Sequence, residues 1–296
     1  MNDLKEFYES ELKNGYYTKI DFEDLINQFQ ELTKRFFPFK SHKNKFKEEL
    51  DFLELIHYRN NLLWLCIHEK FNFHKKRTEI AEEKLRKLFY DYTSILTLTQ
   101  NNLQTLHYLL SNGFDHQALI ILRNHLELFE LMLSILGDEQ FYNDYKKLIQ
   151  KGDEELNKSI KFVSTHKINK RILEKLKEKS GFEIYSGFFN ELAKLKDKYY
   201  KKFSSFAHPD RTSVMLSAYV LVNEEDIKCS LGGRQSINTK KNLNDLFTIE
   251  VIMFQYILAI QIEKHEMYFE KYGKDCEILA LFTAGIWNIH LNKNKG

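Results

Sequence analysis

The sequence predicts an all-α protein, a bundle of about nine helices. Three observations predict it. First, the 296 residues include only 2 prolines and 11 glycines, far below the roughly 5% Pro and 7% Gly of an average chain. Sandwiches and barrels, which turn about every ten residues and recruit both residues at their turns, are therefore disfavoured. Second, apolar residues recur at helical spacing through long segments. Third, the only stretch that reads otherwise is short and polar, residues 223–241, where Gly232-Gly233 suggests one small β-hairpin near 228–237.

The elements follow in order. Residues 1–48 read as helical pieces interrupted at Pro38, which forces Phe37 out of helical geometry. A helix over about 48–73 carries Leu50, Leu53, Ile56, Leu63 and Ile67 on one side. The basic run His74 to Arg77 turns the chain. A long helix over about 78–110 starts at Thr78, with Glu79, Glu82 and Glu83 at its positive end. Ser111-Asn112-Gly113 stops it, glycine being the common residue just past a helix end. Helices over about 115–136 and 139–150 are separated by Gly137-Asp138. A Lys/Glu-rich amphipathic stretch fills 153–180. Helices over about 188–203 and 209–221 flank the linker SSFAHPD. Two more, over about 242–272 and 275–291, close the chain. Residues 1–75 read as an N-terminal helical segment and 76–296 as the main helical domain, the two forming either one packed unit or a domain with a separate N-terminal lobe.

Composition limits function. Net charge is +2, so no overall basic field advertises nucleic acid. The three cysteines, Cys66, Cys229 and Cys276, are scattered and form no CxxC; an odd, dispersed set reads as reduced thiols of a cytoplasmic protein. The polar N-terminus is no signal peptide. The longest apolar run, Val251 to Ile262, is too short and too polar to span a bilayer. No metal or cofactor is expected. The di-iron bundle needs two Glu-x-x-His motifs, and one is present, Glu54-Leu55-Ile56-His57. HExxH, P-loop, GxGxxG and GxSxG signatures are absent.

The segment Gln117 to Leu136 is apolar around about two-thirds of its circumference, as a mostly buried helix is. His116, Arg123, Glu127 and Glu130 share the remaining strip, with Arg123 and Glu127 neighbours at i,i+4. That strip reads either as the solvated side or as the lining of a polar pocket. His125 falls inside the apolar arc, where a hydrogen-bonded core histidine is favoured over a catalytic one. Further on, His208 precedes Pro209, a residue suited to the first helical position. His208 then sits beside the free N–H groups of a helix start, which attract anions such as phosphate. That position favours neutral imidazole, able to accept a proton. Arg211, one turn in, adds a charge-assisted contact to the same anion. The bland reading of His-Pro is a rigid helix start.

From Asp144 to Lys202 the chain has 16 Lys/Arg and 9 Asp/Glu. Lys146, Lys147, Lys201 and Lys202 sit among Tyr142, Tyr145, Tyr199 and Tyr200. Basic residues mixed with aromatics can hold a nucleic-acid backbone and stack its bases, and solvated amphipathic helices give the same statistics.

Leu122-Arg123-x-x-x-Glu127, then Phe203-Ser204-x-x-x-His208-Pro209, a polar hairpin and a long closing helix together resemble an outlying bacterial branch of the HEPN superfamily. The resemblance covers roughly residues 80–290. It implies a helical bundle, often a homodimer, with an Arg/His pocket. It also implies RNA or a nucleotide as partner and, in many members, metal-independent ribonuclease activity in antiphage defence or toxin–antitoxin systems. The superfamily's usual signature is Arg, a polar residue, four to six further residues and then His, all on one helix. Arg123-Asn124 and Arg59-Asn60 both open in that way. His125 comes too soon for the first and His68 too late for the second. The implied catalytic set is therefore Arg123, Glu127 and His208, drawn from different helices, with Arg211 and Ser204 at the phosphate. The alternative is a non-catalytic interaction or sensor protein whose Arg/Glu/His cluster is structural.

Overall fold

The computed structural model describes residues 2–13, 45–75, 80–151, 219–221, 227–229, 235–265 and 274–293, with 24, 26–27, 30–31, 194, 197–199 and 203. Seven helices have defined bounds among them. In chain order these are α1 (Asn2–Lys13), α2 (Lys47–Lys75), α3 (Ile80–Ser111), α4 (Asp115–Gly137), α5 (Glu139–Lys151), α6 (Ile237–His265) and α7 (Lys274–Lys293). The fold is all-α. One antiparallel pair of three-residue strands joins them, β1 (Tyr219–Leu221) and β2 (Ile227–Cys229), in register Tyr219 to Cys229 and Leu221 to Ile227.

Helix α4 is the centre of the bundle. It packs against α3, α6 and α5, while α2 packs against α3, α6 and α7. One apolar core runs through all of them, from Leu53, Ile56 and Leu63 of α2 through Leu103 and Leu106 of α3 and Leu122 and Met132 of α4 to Leu246, Met253 and Ile257 of α6 and Phe282 of α7. Edge-on ring contacts seal two of these seams, Phe52 to Phe247 at 4.8 Å and Tyr58 to Phe282 at 4.7 Å.

Local chemistry explains the helix ends near the centre. Gly113 takes φ of 72°, a left-handed value that glycine reaches without steric cost. Its N–H reaches the Leu110 carbonyl and the Phe114 N–H reaches Leu109, the two bonds of a Schellman close. Asp138 caps α5, its Oδ1 accepting the N–H groups of Gln140 and Phe141 at 3.0 and 3.1 Å. Gln235 donates its side-chain amide to the Leu110 and Ser111 carbonyls at the end of α3 and accepts the Lys45 N–H.

Two sequence expectations are corrected here. Helix α6 begins at Ile237, five residues before the expected start, because Ser236 and Thr239 form a reciprocal cap. The Ser236 Oγ accepts the Asn238 N–H at 3.0 Å, and the Ser236 N–H donates to Thr239 Oγ1 at 2.9 Å. This arrangement supplies the orphan donors of a helix start from one short motif. Ser236 Oγ–H also donates to the buried Asp115 Oδ2 at 2.7 Å, tying the starts of α6 and α4 together. The second correction concerns the hairpin. It spans 219–229 rather than 228–237, so residues 219–221, expected at the end of a helix, are strand. Gly232-Gly233 lies outside the described residues, and the strands connect through 222–226.

Candidate functional site

Four of the buried polar residues converge on one place. Arg59 and Asn60 of α2, His125 of α4 and Glu250 of α6 meet where the three helices cross. Each is 0 to 1% exposed. Arg59 Nη2 donates to Glu250 Oε2 at 2.7 Å and to the Glu250 carbonyl at 3.3 Å. Its Nε and Nη2 also share Asn60 Oδ1 at 3.0 and 2.9 Å. Asn60 Nδ2 donates to the same carboxylate oxygen as Arg59, at 3.0 Å. His125 Nε2 lies 2.5 Å from Glu250 Oε1. Because a carboxylate only accepts, Nε2 carries the hydrogen in that bond.

Two aromatic rings wall the cluster, each one helical turn beyond a member. The Arg59 guanidinium lies 3.7 Å over the Phe254 ring, and His125 meets Phe129 edge-on at 4.9 Å. Burial drives the Arg59 pKa down to about 10, against the pull of Glu250, so the guanidinium stays charged at neutral pH. Burial also pushes the Glu250 carboxyl up. The His125 hydrogen bond, the Arg59 charge and the Asn60 hydrogen bond together outweigh it and hold Glu250 below its usual value. An ionised pair with all its short contacts inside the protein results. No route for a ligand is needed to explain it.

A second polar layer lies beside this cluster on α2 and α3. His57 is 2% exposed, and burial drives its pKa to about 3 despite the nearby Glu250. Burial likewise lowers His107 to about 4 and raises Glu54 to about 7. His107 Nε2 and Glu54 Oε1 are 3.7 Å apart. Between pH 4 and 7 this contact joins two uncharged groups, so it is no ion pair. Glu54 and His57, the single Glu-x-x-His match, thus belong to the packed interior. Among the described residues no group of three or more His, Cys, Asp or Glu side chains could hold a metal ion, and no helix is long and apolar enough to cross a membrane.

Arg123 and Glu127 are indeed paired, Nε to Oε1 at 3.1 Å, but in a different setting. Their side chains are 26% and 42% exposed. The whole strip of His116, Arg123, Glu127 and Glu130 is half-buried, while Gln117, Ile120 and Asn124 form the exposed face of α4. It is neither the fully solvated side nor an enclosed pocket. It is a flank that solvent reaches, and Asn124 on its exposed border accepts a hydrogen bond from Asn102 of α3 at 2.7 Å. Burial lowers the pKa of His116 at the head of the strip. Ser204, His208 and Arg211 lie outside the described residues, and Phe203, just before them, is fully buried.

Compared with family models, curated proteins and solved structures, the chain matches none.

The geometry therefore separates two arginine–glutamate pairs. His125 is the hydrogen-bonded core histidine its place in the apolar arc suggests. Sequence reasoning noticed Arg59-Asn60 only as the opening of an incomplete signature and passed over Glu250. The signal for Glu250 was present. It is a lone carboxylate inside Leu246-Phe247-Thr248-Ile249-Glu250-Val251-Ile252-Met253-Phe254, and a charge so embedded needs a partner.

Proposed function

We propose that the chain is a HEPN-like RNA-acting protein, a metal-independent endoribonuclease effector of bacterial antiphage defence or of a toxin–antitoxin system, working in the cytoplasm as a homodimer. The observation that carries this reading is the setting of the Arg123–Glu127 pair, preformed at 3.1 Å on a flank that solvent reaches. A guanidinium steadied by its own carboxylate is preorganised for a phosphate oxygen.

In this reading the reaction is intramolecular transesterification. His208 accepts the proton of the ribose 2′-OH, and the 2′-oxygen attacks the adjacent phosphorus. The P–O5′ bond breaks, and the leaving 5′-oxygen takes up a proton from an acid, giving a 2′,3′-cyclic phosphate and a 5′-hydroxyl. Arg123 and Arg211 neutralise the charge growing on the phosphoryl oxygens, Ser204 donates to the same phosphate, and Glu127 orients Arg123. Purified protein incubated with total RNA in chelator should release fragments with cyclic phosphate ends. His208→Ala and Arg123→Ala should each abolish them. RNA left intact by the wild type, or cleaved equally by the His208 variant, sinks the reading.

The closed Arg59–Asn60–Glu250–His125 cluster favours a second reading, an all-α interaction or sensor protein without catalysis, whose polar cluster fixes helix packing. It expects no cleavage, and binding partners that survive Arg123→Ala and His208→Ala.

A further inference from the structure

An open cleft of about 600 Å³ lies between α3 and α5, lined by Lys87, Asn143, Lys146 and Lys147. The Tyr142 hydroxyl donates to Asp91 Oδ2 at 2.8 Å and holds the two helices together beneath it. Lys146 is half-buried, its ammonium 4.5 Å over the Tyr142 ring, and among the described residues it has no carboxylate partner. Lys147 makes a loose contact of 3.6 Å with Asp144, both side chains mostly exposed, a pair that solvent screens and an incoming anion can displace. Among the described residues the lining is three lysines and one neutral amide.

A second observation narrows the ligand. Tyr90 stands three residues beyond Lys87 on α3, so the two side chains are neighbours on one helix face. Its ring is 67% exposed, the most exposed large apolar side chain described. Neither a hydrogen bond nor a ring contact holds its side chain among the described residues. An exposed tyrosine beside clustered lysines offers a flat face for a base next to charges for a phosphate.

We infer that this cleft binds single-stranded nucleic acid, with Lys87, Lys146, Lys147 and Asn143 on backbone phosphates and Tyr90 stacked on a base. The inference deepens the RNA-acting reading by naming a contact surface away from the Arg123 pair, and rests on that reading for the class of ligand. Lysine ammoniums act here as point charges that need no fixed fork geometry, so the surface tracks a backbone without reading its sequence.

The test is binding of a fluorescein-labelled 12-mer of 2′-O-methyluridine, followed by anisotropy across a salt series. That probe has no attackable 2′-hydroxyl, so binding is read apart from cleavage. Three lysine contacts predict a slope of log K against log salt of about −2, at roughly −0.7 per contact on a single strand. The Gln variant at Lys87, Lys146 and Lys147 should flatten that slope, and the Arg variant at the same positions should keep it. Tyr90→Ala should raise Kd about tenfold, the loss of one base stack, while Tyr90→Phe leaves it unchanged. Thermal melts of the variants verify folding. An unchanged slope in the Gln variant overturns the inference. So does displacement of the probe by millimolar inorganic phosphate with Tyr90→Ala silent, which makes the cleft a free-anion site. Intact binding with no RNA cleavage overturns the catalytic reading alone.

Discussion

Two Arg–Glu pairs occupy opposite settings in this protein. Arg59–Glu250 joins helices 191 residues apart in sequence and is closed to water, with side chains 1% and 0% exposed. Arg123–Glu127 joins neighbours on one helix and stands a quarter to two-fifths exposed. The buried pair gave up its hydration and recovers it through Asn60, His125 and the Phe254 face. The exposed pair kept its hydration and so contributes little to folding. The same two side chains are thus a staple in one place and a pair that solvent reaches in the other. What decides is not the pair but whether water can replace a lost partner.

The sharpest way to break the comparison is to remove one buried partner. Glu250→Leu leaves the Arg59 guanidinium in the core without its counter-charge, which costs about 3–5 kcal/mol. At roughly 2–4 °C per kcal/mol for a chain of this size, the melting temperature should fall on the order of 10 °C. Replacing both partners, Arg59→Met with Glu250→Leu, should recover much of that loss, because a buried pair exchanged for apolar groups of similar volume is often neutral. Urea titration of the two single variants and the double variant gives the coupling directly. A double variant no better than Glu250→Leu would show that Asn60 and His125, not Arg59, carry the need for the carboxylate.

How far these places were legible in sequence follows the same division. The α3 stop at Ser111-Asn112-Gly113 and the α4 span were readable because they depend on local rules, a left-handed glycine and an i,i+3/i,i+4 apolar pattern. Arg123–Glu127 was readable as a pair for the same reason. The start of α6 was less legible because its capping signal, Ser236-Ile-Asn-Thr239, lies within a polar stretch whose Gly232-Gly233 suggests a turn. Arg59–Glu250 was illegible as a pair. Nothing local relates two residues on different helices, and only the rule that an embedded charge needs a partner points to either of them.

Acid should separate the two settings next. His57 and His107 have folded values of about 3 and 4 against an ordinary 6.5, so the unfolded chain binds their protons more readily. Their contribution is full above pH 6.5 and is lost as pH falls toward 4, at about 2 kcal/mol each by pH 5. Glu54 runs the other way. Its folded value of about 7 lies above the ordinary 4.5, so its contribution is present below pH 4.5 and is lost as pH rises through 7. Two histidines outweigh one glutamate until the slopes balance near pH 7, so stability should rise along an acid limb from pH 4 and level off at about pH 7. Urea midpoints measured from pH 4 to 8 test this. His107→Gln should flatten the acid limb and Glu54→Gln should steepen it. An acid limb unchanged in the histidine variant would mean that water already reaches that layer.

The smallest effect on stability separates fold from function. Arg123→Ala removes a pair of the exposed i,i+4 kind, worth about 0.3–0.5 kcal/mol, so the melting temperature should move by no more than about 2 °C. The same substitution should eliminate RNA cleavage if the pair addresses a phosphate, since an electrostatic contact made in the transition state acts on the rate rather than on folding. Stability and activity then respond to different arginines, Arg59 to the first and Arg123 to the second. Were Arg123→Ala to cost as much stability as Glu250→Leu, the flank would be a structural element and the phosphate role would lose its ground. Were it to cost neither stability nor cleavage, the pair would be solvated surface, and the search for chemistry would move to the lysine cleft between α3 and α5. In that cleft Lys146 has, among the described residues, no carboxylate to release before it meets an anion.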